Sequence, residues 1–157
     1  PEQVAGVIAH ELAHIQKGHV MQKLVKEIGV SLLISATTGD VGGEVLKRTA
    51  RTLSSTAFDR AMEWEADEVG VEYLFNSAID PSHLADFFEE LALSEPEMVK
   101  YFTWMSTHPD TQERADRIRM LTEDKEIESV PVMSEEAWLS LQNSINEKVE
   151  NPWRNVE

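Results

Sequence analysis

Two histidines and a glutamate near the start of the chain have the spacing of a metal-dependent hydrolytic site: His10, Glu11 and His14. In a helix, residues four apart lie on the same face, so His10 and His14 can bind one metal ion together. Glu11 projects from the neighbouring edge of that face, where a carboxylate can take a proton from an attacking water molecule. The pattern therefore predicts zinc and hydrolytic chemistry, with Glu11 as the catalytic base.

An alternative interpretation of this pattern is an ordinary amphipathic helix with two exposed histidines. Such a helix would carry polar residues between the histidines, whereas this chain has Leu12 and Ala13 there. Further apolar residues lie on both sides: Val4, Val7, Ile8 and Ile15. A helix so apolar is expected to be buried, and buried histidines need partners. We therefore expect both histidines to be interior ligands.

A catalytic zinc site takes three ligands from the protein, so a third ligand is expected downstream. The three-histidine class needs glycine at position 17 and histidine at position 20, where this chain has Lys17 and Val20. The other class takes a glutamate from a second helix, and Glu63 and Asp67 lie four apart in a helical stretch. We expect Glu63 to bind the metal and Asp67 to accept the free ring N–H of a ligand histidine. The alternative for this acidic stretch is a solvated helix face. Glu65 is expected to lie on a different face of the helix from Glu63 and Asp67.

The motifs His-Glu-Leu-Ala-His (10–14) and Glu-Trp-Glu-Ala-Asp-Glu-Val-Gly (63–70) resemble those of the HtpX-like, CAAX-prenyl-protease-like and Oma1-like zinc metallopeptidases. The resemblance is strongest to the soluble BepA-like bacterial branch, because Ser-Thr-His-Pro (106–109) is followed by Arg114. It covers about residues 1–120 and implies one zinc ion per chain.

The resemblance also implies a role for each site residue. The implied zinc ligands are His10, His14 and Glu63, with Glu11 as the catalytic base and Asp67 as the hydrogen-bond acceptor of a ligand histidine. His108 is implied as a fourth ligand or a switch, and Arg114 as a group that stabilises the transition state.

The chain departs from the family pattern at its start, because the first residue already belongs to the predicted zinc helix. We therefore expect the upstream region, with the strand that aligns the substrate, to be absent. Residues 1–125 are expected to form an N-terminally truncated zinc metallopeptidase core. Residues 126–157 are expected to form an extension with one amphipathic helix, capped by Ser134. Strand signals are nearly absent, so the predicted fold is all-α, a helical zincin of the gluzincin type with two ligand-bearing helices.

Composition excludes several classes of partner. The 157 residues include 14 basic and 29 acidic side chains, a net charge of −15, which argues against nucleic acid and anionic membrane surfaces. Cysteine is absent, so disulfides and thiol chemistry are excluded. The apolar stretch 28–34 is too short to cross a bilayer and is expected to be a core helix, with a membrane-resting helix as the alternative. The first helix is expected to end at about Gly18, where glycine permits a bend, and His19 is expected at a helix end, not as a ligand.

The predicted function is that of a zinc-dependent endopeptidase that acts on protein or peptide substrates. The resemblance implies envelope protein quality control in the bacterial periplasm or cell envelope, and self-inhibition if His108 binds the zinc. An alternative is a zinc-stabilised chaperone-like or binding module with little proteolysis, which the helix after Ser134 and the missing substrate strand motivate. A third is a metal-free helical domain that has inherited the motifs.

Overall fold

A computed structural model of the chain describes residues 1–38, 60–93, 107–108 and 111–150. The regular elements within these ranges are six helices: α1 (Glu2–Lys17), α2 (His19–Thr38), α3 (Arg60–Asn76), α4 (Ser82–Leu93), α5 (Thr111–Thr122) and α6 (Glu135–Glu150). No strand occurs within these described ranges, so the all-α prediction is confirmed for them.

The core lies where α1, α3, α4 and α5 meet, since α1 packs on α3 and α4, and α5 packs on α4 and α3. Its buried apolar members are Ala9, Val71, Leu74, Leu84, Ala85, Phe88, Ala115 and Ile118. Within each helix these residues are spaced so that they share one face. Burial of that face removes apolar area from water, which is the main favourable contribution to folding.

Two glycines allow α1 to approach its neighbours closely. A Cβ atom at Gly6 would lie 2.9 Å from the Cβ of Leu84 in α4. A Cβ atom at Gly70 of α3 would lie 3.3 Å from the Cα and N atoms of His10. The backbone of the histidine-bearing helix is therefore held directly against both neighbouring helices.

Gly18 separates α1 from α2, as the sequence predicts. Its φ of 64° lies in the left-handed region, which glycine adopts without a steric penalty. Its N–H donates to the carbonyl of Ile15 at 3.1 Å. The chain therefore turns sharply enough for His19, the first residue of α2, to fold back towards α1.

The apolar surface of α1 is only partly buried, which corrects the expectation of an enclosed helix. Val4, Ile8, Leu12 and Ile15 are 47–73% exposed. The helix packs through Ala9, Ala13 and the two histidines, with Val7 partly buried against the core, and the four exposed apolar side chains lie on the other face. The core-helix prediction for 28–34 is also wrong for the described side chains, because Ile28 and Leu32 are exposed.

The remaining local predictions have mixed outcomes. Asp80 accepts the N–H of Ser82 at 2.9 Å, and Ser134 accepts that of Ala137 at 3.2 Å, as expected of helix caps. The segment before α6 is irregular, and Val130 donates its N–H to the carbonyl of Ala78 at 2.8 Å. The sequence pattern also predicts helices at about 44–57 and 97–105, and these two stretches lie outside the described residues. No described helix is long and apolar enough to cross a membrane.

Substitution of Gly6 by alanine tests the close approach of α1 and α4. The added methyl group has no room beside Leu84, so we expect Gly6→Ala to lower the free energy of unfolding by about 1–3 kcal/mol. Gly29→Ala is the matched control, because nothing lies within 4 Å of that position in α2. It should leave stability unchanged or raise it by up to about 1 kcal/mol through helix propensity. Urea denaturation followed by circular dichroism compares the two, and equal effects would contradict the packing argument.

Candidate metal centre

Four side chains from three parts of the chain converge at one point in the interior. His10 and His14 come from α1, Glu63 comes from α3, and His108 lies in a bend before α5. All four are buried, with exposed fractions of 0–3%. Each offers one nitrogen or oxygen atom, and these atoms all lie within 4.8 Å of one another.

The distances between these atoms match those of a small tetrahedral site. The Nε2 atoms of His10 and His14 are 3.0 Å apart, and Glu63 oxygens lie 3.5 and 3.4 Å from them. The Nδ1 atom of His108 lies 3.3 Å from Nε2 of His10 and 3.0 Å from the Glu63 carboxylate. Bonds of 2.0–2.1 Å to a tetrahedral zinc ion place ligand atoms roughly 3.4 Å apart. The residues present therefore fit a zinc ion.

The charges around the centre favour a cation. Glu63 and Asp67 are buried carboxylates, and Arg114 is the buried guanidinium beside them, so this group of three carries a net charge of −1 with the histidines neutral. Burial lowers the pKa of His14, which leaves its imidazole neutral and able to bind a metal at pH 7. Burial alone would raise the pKa of Glu63. Hydrogen bonds from the three cluster histidines and the charge of Arg114 outweigh it and hold that pKa far below its usual value.

Asp67 fixes the ring of His10 from the side opposite the cluster. Its Oδ1 atom lies 3.0 Å from Nδ1 of His10, so it can accept the ring N–H while Nε2 faces the other ligand atoms. Burial lowers the pKa of His10, but the hydrogen bonds with Asp67 and Glu63 outweigh it and raise that pKa overall. The geometry places Asp67 where the sequence expects a hydrogen-bond acceptor.

Arg114 links the two buried carboxylates. Its Nε and Nη2 atoms donate to the two oxygens of Asp67 at 2.8 and 2.7 Å, and Nη1 lies 2.7 Å from Oε2 of Glu63. The guanidinium also lies 4.1 Å from the centre of the Phe88 ring. The sequence expectation for Arg114 is a role at the transition state. This arrangement favours a different role, in which the guanidinium holds the carboxylates of Glu63 and Asp67 in place.

Glu11 lies at the rim of the cluster. Its side chain is 42% exposed, and Oε1 lies 3.4 Å from Nε2 of His108. A carboxylate with one side towards the cluster and another towards solvent can exchange protons with both. The structure therefore brings Glu11 beside the four-residue cluster, and its side chain is far more exposed than those of the four cluster residues.

Sequence reasoning missed two residues at the centre, His19 and Glu65. His19 is fully buried, and its Nδ1 atom lies 2.9 Å from Nδ1 of His14. Its Nε2 atom lies 3.2 Å from Oε2 of Glu65, which also pairs with Lys17 at 2.8 Å. These hydrogen bonds, first that from Lys17 and then that from His19, lower the pKa of Glu65. The signal available in the sequence was the glycine before His19, which permits the turn that returns this histidine to α1.

Comparison with known proteins gives a family-level match. The sequence model described as peptidase family M48 matches residues 1–122. The chain is 29% identical over 117 residues to the mitochondrial metalloendopeptidase OMA1 of Schizosaccharomyces pombe, covering 73% of this chain and 35% of that protein. It is 32% identical over 124 residues to the metalloprotease LoiP of Escherichia coli, covering 74% and 48%. It is 25% identical over 136 residues to the beta-barrel assembly-enhancing protease of Yersinia pestis, covering 74% and 28%.

These relatives are longer than the matched region. The chain spans between 28% and 48% of the length of the three relatives. No solved structure matches the chain significantly.

Substitution of Arg114 by methionine tests its role between the two carboxylates. Loss of the guanidinium leaves Glu63 and Asp67 buried without their cation, so Arg114→Met should destabilise the metal-free protein by about 3–5 kcal/mol. Arg119→Met is the matched control, since Arg119 pairs with Asp86 and Glu89 at the surface. It should cost less than about 1 kcal/mol. Thermal unfolding in the presence of a chelator measures both, and unchanged stability in Arg114→Met would leave only a role at the transition state.

Proposed function

Because the chain belongs to peptidase family M48, we propose that it is a zinc-dependent endopeptidase that hydrolyses peptide bonds of protein substrates. One observation carries the proposal: His10, His14 and Glu63 converge on one point, with Glu11 beside it. The names of the relatives support it, since they include a metalloendopeptidase and a metalloprotease.

We propose one zinc ion per chain, held by His10, His14 and Glu63. Two imidazole nitrogens and one carboxylate oxygen are a ligand set that catalytic zinc sites use. A zinc ion held there would act as a Lewis acid, which would polarise a peptide carbonyl and lower the pKa of a water molecule.

The proton transfers fall to Glu11. As a water oxygen forms its bond to the peptide carbon, the Glu11 carboxylate accepts the proton that the water releases. When the C–N bond breaks, Glu11 returns this proton to the departing nitrogen, so the products are a carboxylic acid and an amine. Asp67 and Arg114 keep His10 and Glu63 in their orientations during this sequence.

His108 provides the basis for self-inhibition. Its Nδ1 atom lies 3.3 Å from Nε2 of His10 and 3.0 Å from the Glu63 carboxylate. These distances are similar to those between the other proposed ligand atoms, so Nδ1 occupies a fourth corner of the cluster. Zinc sites with four protein ligands are closed, whereas catalytic ones keep a position open. We therefore propose that the arrangement described here is a resting state, and that displacement of His108 opens the position that water needs.

We also propose a role in protein quality control in the bacterial periplasm or cell envelope. Its support is the relative named as a beta-barrel assembly-enhancing protease, found in Yersinia pestis and Escherichia coli. The division into a core at 1–125 and an extension at 126–157 is likewise a proposal. The end of the family match at residue 122 and the exposure of Leu139, Leu141 and Ile145 in α6 support it.

Substitution of Glu11 by glutamine tests the enzymatic function. Glutamine keeps the shape of the side chain but cannot accept the proton, so the rate of cleavage of unfolded casein should fall by about 10²–10⁴-fold. Zinc content, measured by mass spectrometry, should remain near one per chain, because Glu11 is not a proposed ligand.

Other outcomes separate the alternatives. A Glu11→Gln variant that binds unfolded protein and keeps all biological function would favour the chaperone-like module over the peptidase. Wild-type protein purified without chelator that contains no zinc would contradict both metal-dependent functions.

Substitution of His108 by alanine tests the self-inhibition. If the closed arrangement is about 90% populated, its removal should raise the basal rate of casein cleavage about tenfold. His83→Ala is the matched control, because His83 is a half-exposed histidine of α4 that contacts Asp86 outside the cluster. Activity of His108→Ala equal to or lower than that of the wild type would count against the switch.

A further inference from the structure

His19 is a buried histidine to which the proposed mechanism gives no role. It is fully buried although it begins a helix whose other described apolar side chains include several exposed ones, such as Met21 and Val25. Both of its ring nitrogens lie within hydrogen-bond distance of a polar side chain, Nδ1 of His14 at 2.9 Å and a Glu65 oxygen at 3.2 Å. Burial of an imidazole is costly unless its nitrogens are satisfied, so this arrangement needs both contacts.

The directions of these hydrogen bonds follow from the ring chemistry. If Nε2 of His14 faces the metal position, a neutral His14 ring carries its proton on Nδ1 and donates it. The Nδ1 atom of His19 must then be the acceptor, and the proton of the neutral His19 ring lies on Nε2. That proton points to Glu65, and an ionised carboxylate is a hydrogen-bond acceptor only. All three groups are thereby satisfied in one arrangement of protons.

The other two proposed zinc ligands, His10 and Glu63, are each held by a buried partner in the same way. His10 is held by Asp67 through its Nδ1 atom, and Glu63 is held by Arg114. His14 is the third proposed ligand, and the His19 contact occupies the position on its ring that Asp67 occupies on His10. Partners of this kind fix the tautomer and orientation of a ligand histidine and increase its basicity.

We propose that His19 and Glu65 form a hydrogen-bonded chain that positions His14 for zinc binding, with His19 as the direct partner and Glu65 as the group that fixes the tautomer of His19. This inference rests on the proposed zinc site. His19 is a positioning residue, since it contacts a ligand and not the reacting atoms.

The geometry also ranks the two residues. His19 is buried and contacts His14 directly, whereas the Glu65 side chain is 46% exposed and acts through His19. Water can replace part of what an exposed carboxylate provides, so loss of Glu65 should have the smaller effect. Lys17 holds the Glu65 carboxylate from the solvent side at 2.8 Å.

Zinc affinity of the full chain, measured by competition with a chelating indicator, tests the proposal without reference to catalysis. His19→Ala should weaken zinc binding about 10–100-fold, and Glu65→Ala should weaken it less, by about 3–10-fold. His19→Asn should recover part of the loss, because its amide oxygen can accept the Nδ1 proton of His14. Glu68→Ala is the matched control: Glu68 lies one turn along α3, is similarly exposed and pairs with Arg117, so zinc affinity should not change.

A spectroscopic measurement distinguishes positioning from a merely structural role. In the zinc-loaded wild type, long-range proton–nitrogen correlation spectra should show His14 protonated on Nδ1 and His19 protonated on Nε2. Glu65→Ala changes an exposed side chain and should leave the fold intact, so it keeps the test valid even if His19→Ala fails to fold.

The outcomes separate this inference from the proposed function. A wild-type chain that binds zinc, with Glu65→Ala and a folded His19→Ala both within about twofold of its affinity, would overturn the positioning chain and leave the zinc site standing. A His19 ring protonated on Nδ1 in the zinc-loaded wild type would also overturn it. A wild-type chain that binds no zinc would contradict the proposed function itself, and the positioning chain with it.

Discussion

Arg114 is hydrogen-bonded to Asp67 and ion-paired with Glu63, two carboxylates that lie in the interior of the helical core. Glu63 and Asp67 are almost fully buried, and an isolated buried carboxylate would take up a proton rather than remain charged. One guanidinium with contacts of 2.7 and 2.8 Å offsets much of this penalty, yet it leaves the group one negative charge in excess. That excess, counted with the histidines neutral, favours a positive charge at the cluster, which a metal ion or a proton on His10 can supply. The Arg114 charge also helps the histidine hydrogen bonds to hold the pKa of Glu63 far below its usual value, although that side chain is buried.

The close approach of α1 and α3 is the second requirement of the site. Gly70 lets the α3 backbone lie against His10, so that Glu63 and Asp67 reach the same imidazole from two sides. A larger residue would separate the helices by tenths of an ångström, which is comparable to the tolerance of a metal–ligand bond. The packing of small residues between α1 and α3 therefore also fixes the geometry of the cluster. The core holds the distances between the side chains of His10, Glu63 and Asp67.

The apolar residues of α1 divide between two surfaces with different consequences. The face with Ala9 and Ala13 is buried against the core, and the face with Ile8, Leu12 and Ile15 is exposed among the described residues. The apolar composition of α1 predicts a fully buried helix, because the type of a side chain does not specify whether a neighbouring element covers that side chain. The histidines are nevertheless buried, since they lie on the packed face and not because the helix is apolar all round.

The sequence by itself determined the elements that are local. The four-residue spacings of His10 with His14 and of Glu63 with Asp67 place each pair on one helix face, and Gly18 ends α1, because helix periodicity and glycine conformation depend only on nearby residues. Membership of a metallopeptidase family followed from the same two motifs. Tertiary structure decided the contacts between helices: Arg114 on Glu63 and Asp67, and His19 between His14 and Glu65. Glu65 is two residues from each of Glu63 and Asp67 and so lies on another face of α3. Only the path of the chain after Gly18 brings His19 to that face, and no local pattern encodes where a following helix will lie.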